Sequence, residues 1–119
     1  MRSLALMIAV VIAAAGAFAA TLLAQNTALI TVSIIEPELK PPPTWAYEPK
    51  AVTVKIATKV TWVNTGAVVH TVTADDGKSF DSGNMQPKAS FSFTAKEAGT
   101  FAYHCRLHPW MKGTLIVQP

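Results

Sequence analysis

The sequence predicts an all-β protein, a Greek-key antiparallel sandwich of seven or eight short strands. Two observations predict it. Short runs of β-branched and aromatic residues alternate with polar ones, and Gly, Pro, Asn and Asp separate these runs. After residue 24, no segment spaces its apolar residues with the period of a helix. Before that residue an unbroken apolar stretch predicts a hydrophobic helix ahead of the sandwich.

Residues 1–24 have the pattern of an export signal or a membrane anchor. Arg2 precedes the apolar stretch Leu4–Ala24, which contains no charge. Small residues before Ala20 fit a signal peptidase site, yet a helix of this length also spans roughly 30 Å, about one bilayer core. Cleavage and retention as an anchor both stay open, whereas a stretch apolar all round is a poor core helix. Either way, we expect residues 25–119 to form one domain in the periplasm or another extracytoplasmic compartment.

The strands follow in order along the rest of the chain. A β-branched cluster ends at Glu36-Pro37, and the prolines at 41–43 must form an extended loop because proline cannot donate to a ladder. Asp75-Asp76-Gly77 is a turn signal. The runs that predict strands are Thr31–Ile35, Ala51–Ile56, Val60–Val63, Val68–Thr73, Ser90–Phe93, Thr100–His104 and Thr114–Val117.

Composition excludes several classes of protein. The net charge of +3 comes from 10 Lys and Arg against 7 Asp and Glu, which is too weak and scattered for a nucleic-acid partner. An apolar content of 50% excludes intrinsic disorder. The single cysteine excludes an intramolecular disulfide. A domain of roughly 90 residues buries only a modest core, so a bound metal would be a useful stabiliser.

One short segment carries three metal-ligand types. Cys105, His108 and Met111 follow one another at intervals of three residues, between a predicted strand and the last one. His70 lies 35 residues before the cysteine, in a different strand or its end loop. Two histidines and a cysteine with a weak methionine form the ligand set of a blue-copper site. His104 is a poorer candidate, because adjacent residues of a strand point to opposite faces.

At these residues the chain resembles the cupredoxins, and within them the amicyanin and plastocyanin group. The resemblance covers roughly residues 29–119. The matching segments are Val60–Asn64, His70, Gly99–Cys105 and His108–Gly113. It implies a Greek-key sandwich that binds one type-1 copper, Cu(II) or Cu(I), and carries single electrons between redox protein partners outside the cytoplasm.

The resemblance also implies roles beyond the four ligands. In this family the C-terminal ligand histidine, here His108, reaches the surface in an apolar patch where partners dock, which makes Pro109 and Trp110 docking residues. Asn64 matches an asparagine that ties the loop of the first histidine to the cysteine strand. One departure is the turn at 57–59, where Ala-Thr-Lys replaces the usual Gly-Asp.

Other functions fit these residues less well. A copper-binding or copper-delivery protein without an electron-transfer partner would use the same ligands and stays the alternative. A multicopper oxidase needs more than the three histidines present, and a dinuclear purple copper site needs two cysteines. A Cys-His hydrolase needs a base and an oxyanion site. A structural zinc site uses four Cys or His ligands, and thioether is a poor zinc donor. We therefore expect an electron carrier rather than an enzyme.

Overall fold

The structure, a computed structural model, describes residues 29–38 and 44–119. The predicted signal or anchor, with its hydrophobic helix, and the proline run at 41–43 lie outside the described residues. Within the described ranges, no helix has the length and apolar character needed to cross a bilayer.

The described chain forms strands joined by short loops. In chain order they are β1 (Ile30–Ile35), β2 (Ala46–Glu48), β3 (Ala51–Lys55), β4 (Lys59–Asn64), β5 (Thr73–Ala74), β6 (Ser90–Thr94), β7 (Gly99–His104) and β8 (Lys112–Gln118). The alternation of apolar and polar residues explains most of these strands. In β3, for example, Val52 and Val54 are buried while the residues between and around them are exposed.

These strands form two four-stranded sheets, and the predicted sandwich is confirmed. The strand orders are β2-β1-β4-β6 and β3-β8-β7-β5. Four of the six pairings described are antiparallel, as expected, but β1 pairs with β4 and β3 pairs with β8 in parallel. The parallel pairs arise because the chain crosses between the sheets before it returns beside an earlier strand. Trp62 and Tyr103, both buried, pack edge to face between the sheets.

Two segments differ from the sequence expectations. Val68–Thr73 does not form a strand of that length. His70 instead makes a single bridge to Met85, and pairing with β7 starts only at Thr73. β2 is the strand that sequence patterning did not predict, since three residues are too few to show alternation.

One end of the sandwich gathers the loops that carry the metal-ligand candidates. His104 of β7 pairs with Lys112 of β8, so residues 105–111 form the connection at the end of this hairpin. β5 lies on the other side of β7, which brings the chain just before Thr73 to the same end. The topology therefore places His70 beside this connection.

Candidate metal centre

Backbone hydrogen bonds within the connection between β7 and β8 hold this loop together. The amide of Cys105 donates to the carbonyl of Met111 at 3.1 Å, and the amide of Met111 donates to the carbonyl of His108 at 2.9 Å. The amide of His108 donates back to the carbonyl of Cys105 at 3.3 Å. These bonds fold the Cys-x-x-His-x-x-Met segment into two tight turns. The spacing of three residues thus brings all three positions to one end of the hairpin.

His70 enters the same region from a second loop. It is buried, and its backbone exchanges two hydrogen bonds with Met85, at 2.8 and 3.2 Å. The buried Asn64 side chain supports this arrangement, since its amide donates to the carbonyls of Val68 and Met85. Sequence analysis expected Asn64 to tie the His70 loop to the cysteine strand. The hydrogen bonds of its side-chain amide tie that loop to the Met85 segment.

Three of the four predicted ligands converge in space. Ligand atoms of His70, Cys105 and His108 all lie within 4.8 Å of one another. The Cys105 Sγ is 3.4 Å from Nδ1 of His108 and 3.9 Å from Nδ1 of His70. His108 is half-buried and the other two are buried. Met111 is also buried, at the C-terminal end of the same loop.

The electrostatics of this pocket favour a thiolate. Burial raises the pKa of Cys105, but the adjacent His70 ring, the hydrogen bond from the Thr71 amide and the adjacent His108 ring outweigh it and lower the pKa to about 6. The Thr71 amide reaches Sγ at 3.3 Å. Because a thiolate is the form of cysteine that binds metals, the residues fit a soft metal ion at neutral pH.

Aromatic and polar neighbours hold this pocket in shape. The Tyr47 hydroxyl donates to the carbonyl of Thr71 at 2.6 Å, which anchors the residue that bonds to Cys105. The Thr71 hydroxyl oxygen accepts from the Arg106 amide at 2.8 Å. Trp45 packs edge to face against His70, with ring centroids 5.8 Å apart. β2 and the residue before it therefore complete the wall of the site.

Glu36 is a site residue that sequence analysis missed. Its side chain is 3% exposed, and the Nε2 of His70 lies 2.7 Å from its Oε2. Burial raises the pKa of Glu36, but hydrogen bonds from the Ala67 amide, His70 and the Val68 amide bring it below the ordinary value. The sequence carries no local signal for this contact, because the two residues are 34 positions apart.

The remaining predicted residues lie at the rim or outside the cluster. Trp110 is 44% exposed with its ring centroid 5.4 Å from that of His108, and Pro109 beside it is exposed. Leu107, on the same loop, is 49% exposed. His104 points away and pairs with Asp75 through Nδ1 at 2.6 Å, so it does not join the ligand cluster.

Fold and site together define a class of protein: a two-sheet β-sandwich with one soft metal site built on the hairpin loop at its end. The chain belongs to the cupredoxin-like family, since the family model described as a cupredoxin-like domain matches residues 4–117.

Individual relatives agree with this family. The chain is 40% identical to amicyanin of Paracoccus denitrificans over 76 residues, which cover 60% of this chain and 58% of that protein. It is 33% identical to plastocyanin of Scenedesmus fuscus over 84 residues, which cover 60% of this chain and 86% of the plastocyanin. The alignment with the Paracoccus amicyanin thus spans little more than half of that protein's length.

Solved structures resemble it too. A reduced Cu(I) form of an amicyanin variant superposes with a TM-score of 0.63 at 32% identity, covering 76% of this chain and 82% of that chain. A purple cupredoxin from Nitrosopumilus maritimus superposes with a TM-score of 0.67 at 24% identity, covering 75% of this chain and 99% of that chain. The latter likeness shows the fold alone.

Proposed function

We propose that the protein binds one type-1 copper ion through His70, Cys105, His108 and Met111 and carries single electrons between redox proteins outside the cytoplasm. The observation that carries the proposal is the convergence of two imidazoles and a thiolate within 4.8 Å. Met111 supplies the fourth donor from the same loop. The identity with amicyanin and plastocyanin supports the electron-transfer role, and the apolar segment at 1–24 supports the location.

Bound copper would supply a one-electron couple between Cu(II) and Cu(I). The chain's contribution is a set of donors that two sheets hold in place. The loop bonds between Cys105 and Met111 and the His70–Met85 bridge fix the donors before any metal arrives. A donor set fixed in this way rearranges little between oxidation states, which favours fast electron transfer.

Two features argue against the other functional classes. A catalytic metal site keeps an open position for water or substrate, whereas here four protein donors would fill the site. A delivery protein must release its metal, whereas His70, Cys105 and Met111 are buried. Half-buried His108 at the rim instead offers an electron a short route to a docked partner.

The first test adds Cu(II) to the metal-free full-length protein and records visible and EPR spectra together. We expect an intense blue band from thiolate-to-copper charge transfer and a narrow copper hyperfine splitting. Cys105→Ser should abolish the band, while the matched control His104→Asn, at the neighbouring position, should retain it. Colourless copper with an ordinary tetragonal spectrum would contradict the proposal.

A second test separates the fourth donor from ordinary packing. Met111→Leu should keep the copper but raise the reduction potential, because loss of a weak thioether donor would favour Cu(I). Met85→Leu, at another buried methionine close to His70, is the control and should leave the potential nearly unchanged. Equal potentials for Met111→Leu and the unmodified protein would remove Met111 from the ligand set.

A further inference from the structure

Glu36 sits where β1 ends, yet its carboxylate is built into the loop that precedes His70. The Ala67 amide donates to Oε1 at 2.9 Å and the Val68 amide donates to Oε2 at 3.2 Å. The imidazole of His70 bonds to Oε2 as well. An almost fully buried carboxylate with three donors is held in a single position, because moving it would leave buried polar groups unpaired.

Gly66 makes the room for this carboxylate. A Cβ at position 66 would overlap Oε2 and Cδ of Glu36. Any side chain there would therefore displace the carboxylate from the His70 loop. The glycine and the glutamate, 30 positions apart in sequence, form one structural unit.

The contact fixes which nitrogen of His70 faces the other ligands. An ionised carboxylate only accepts hydrogen bonds, so Nε2 must carry the ring proton. In the neutral ring Nδ1 then keeps its lone pair, and this is the nitrogen 3.9 Å from the Sγ of Cys105. A carboxylate behind a metal-binding imidazole orients the ring and strengthens it as a donor.

We infer that Glu36 is a positioning residue for His70 and that its charge lowers the reduction potential of the metal site. The inference rests on the proposed copper function. A thiolate leaves Cu(II) with one net positive charge and Cu(I) with none. A buried negative charge behind His70 stabilises the more positive state more strongly, so it opposes reduction.

The first measurement does not need copper. Nitrogen-15 NMR of the metal-free protein reports which His70 nitrogen is protonated. At a pH where the ring is neutral, we expect the Nε2–H tautomer alone in the unmodified protein, and a mixture of both tautomers in Glu36→Ala. A single unchanged tautomer in Glu36→Ala would overturn the positioning role. This readout stays decisive even if the unmodified protein fails to form a blue site, an outcome that would contradict the proposed function instead.

The second measurement is a redox titration of the copper-loaded protein. Glu36→Gln keeps the shape of the side chain and removes the charge, so we expect the equilibrium constant for reduction to rise about tenfold. The matched control is Glu38→Gln, which removes the same charge from an exposed side chain two residues away and should change the constant far less. Equal changes in both variants would overturn the charge effect.

A third variant tests the same contact in case Glu36→Gln does not fold. Gly66→Ala leaves the glutamate in the sequence but forces its carboxylate away from His70. We expect it to raise the equilibrium constant for reduction in the same direction as Glu36→Gln. A blue Gly66→Ala protein with an unchanged constant would show that the position of the carboxylate does not matter.

Discussion

The indole ring of Trp45 stands edge-on to the imidazole of His108, with 5.1 Å between the ring centroids and 83° between the ring planes. Trp45 is itself buried, and its Nε1 donates to the carbonyl of Glu38 at 2.6 Å. The half-buried ligand histidine thus has a fixed aromatic edge on one side. No local sequence pattern places Trp45 at the metal site.

Trp45→Leu should speed the loss of copper. Without the indole edge, the His108 ring has more freedom to leave its ligand orientation, so we expect Cu(I) to transfer to a chelator several-fold faster. The rate of chelator colour development measures this. Leu107→Ala is the matched control, since that side chain is exposed on the same loop, and it should leave the release rate close to that of the unmodified protein. Similar rates for both variants would place the restraint on His108 elsewhere.

Trp110→Asp should slow electron self-exchange between Cu(I) and Cu(II) copies of the protein. If electrons pass through the rim at His108, two copies must bring these rims together, and two aspartates would then repel each other. NMR line broadening in mixtures of the two oxidation states gives the rate, and the visible spectrum should not change. Ile56→Asp, at a residue 38% exposed beside the far end of β8, is the control. A rate unchanged by Trp110→Asp would place docking on another face.

Ala57→Gly should stabilise the protein. Ala57 follows β3 and has a φ of 70°, in the left-handed region where a Cβ is unfavourable. Glycine removes that penalty but adds freedom to the unfolded chain, so we expect a net gain of about 0.5–1 kcal/mol. Chemical denaturation measures it. The control is Ala98→Gly, at an exposed alanine without a positive φ, which should destabilise the protein. A loss of stability in both variants would show that the backbone at Ala57 is not strained.

Asp76→Asn should flatten the acid dependence of stability. Hydrogen bonds from the Ser79 hydroxyl and from the Ser79 and Lys78 amides lower the pKa of Asp76 to about 2. Since the folded-state pKa lies below the unfolded one, this carboxylate stabilises the fold above pH 4, and its contribution is lost as the pH falls towards 2. Unfolding free energies across this range should fall less steeply in Asp76→Asn. Ser79→Ala should act in the same direction, and identical slopes in all three proteins would contradict the prediction.

The parts that sequence could predict are those whose information is local. Cys105, His108 and Met111 reveal a metal loop because their spacing is short and fixed. Most strands are visible from alternation, as at Val52 and Val54. His70 needed a further argument: the other candidate, His104, is excluded because it adjoins Cys105 on a strand. The structure places His70 beside Cys105.

What could not be predicted depends on contacts made after folding. Glu36 reads in sequence only as the end of a β-branched run, yet its carboxylate bonds to His70 across 34 positions. Asn64 was expected to reach the cysteine strand, but its side-chain amide donates to the carbonyls of Val68 and Met85. The sequence around Glu36 or Asn64 does not indicate which loop lies beside that residue in the folded protein.

The place of β8 has a consequence for how the molecule is made. It is the last described strand to leave the ribosome, yet it lies between β3 and β7 in its sheet. A nascent chain without it has neither the pairing that closes that sheet nor the far side of the loop that ends at Met111. Pairings over such long sequence separations form slowly, in milliseconds to seconds. The metal pocket is therefore assembled only after β8 has been synthesised, and capture of the ion follows folding.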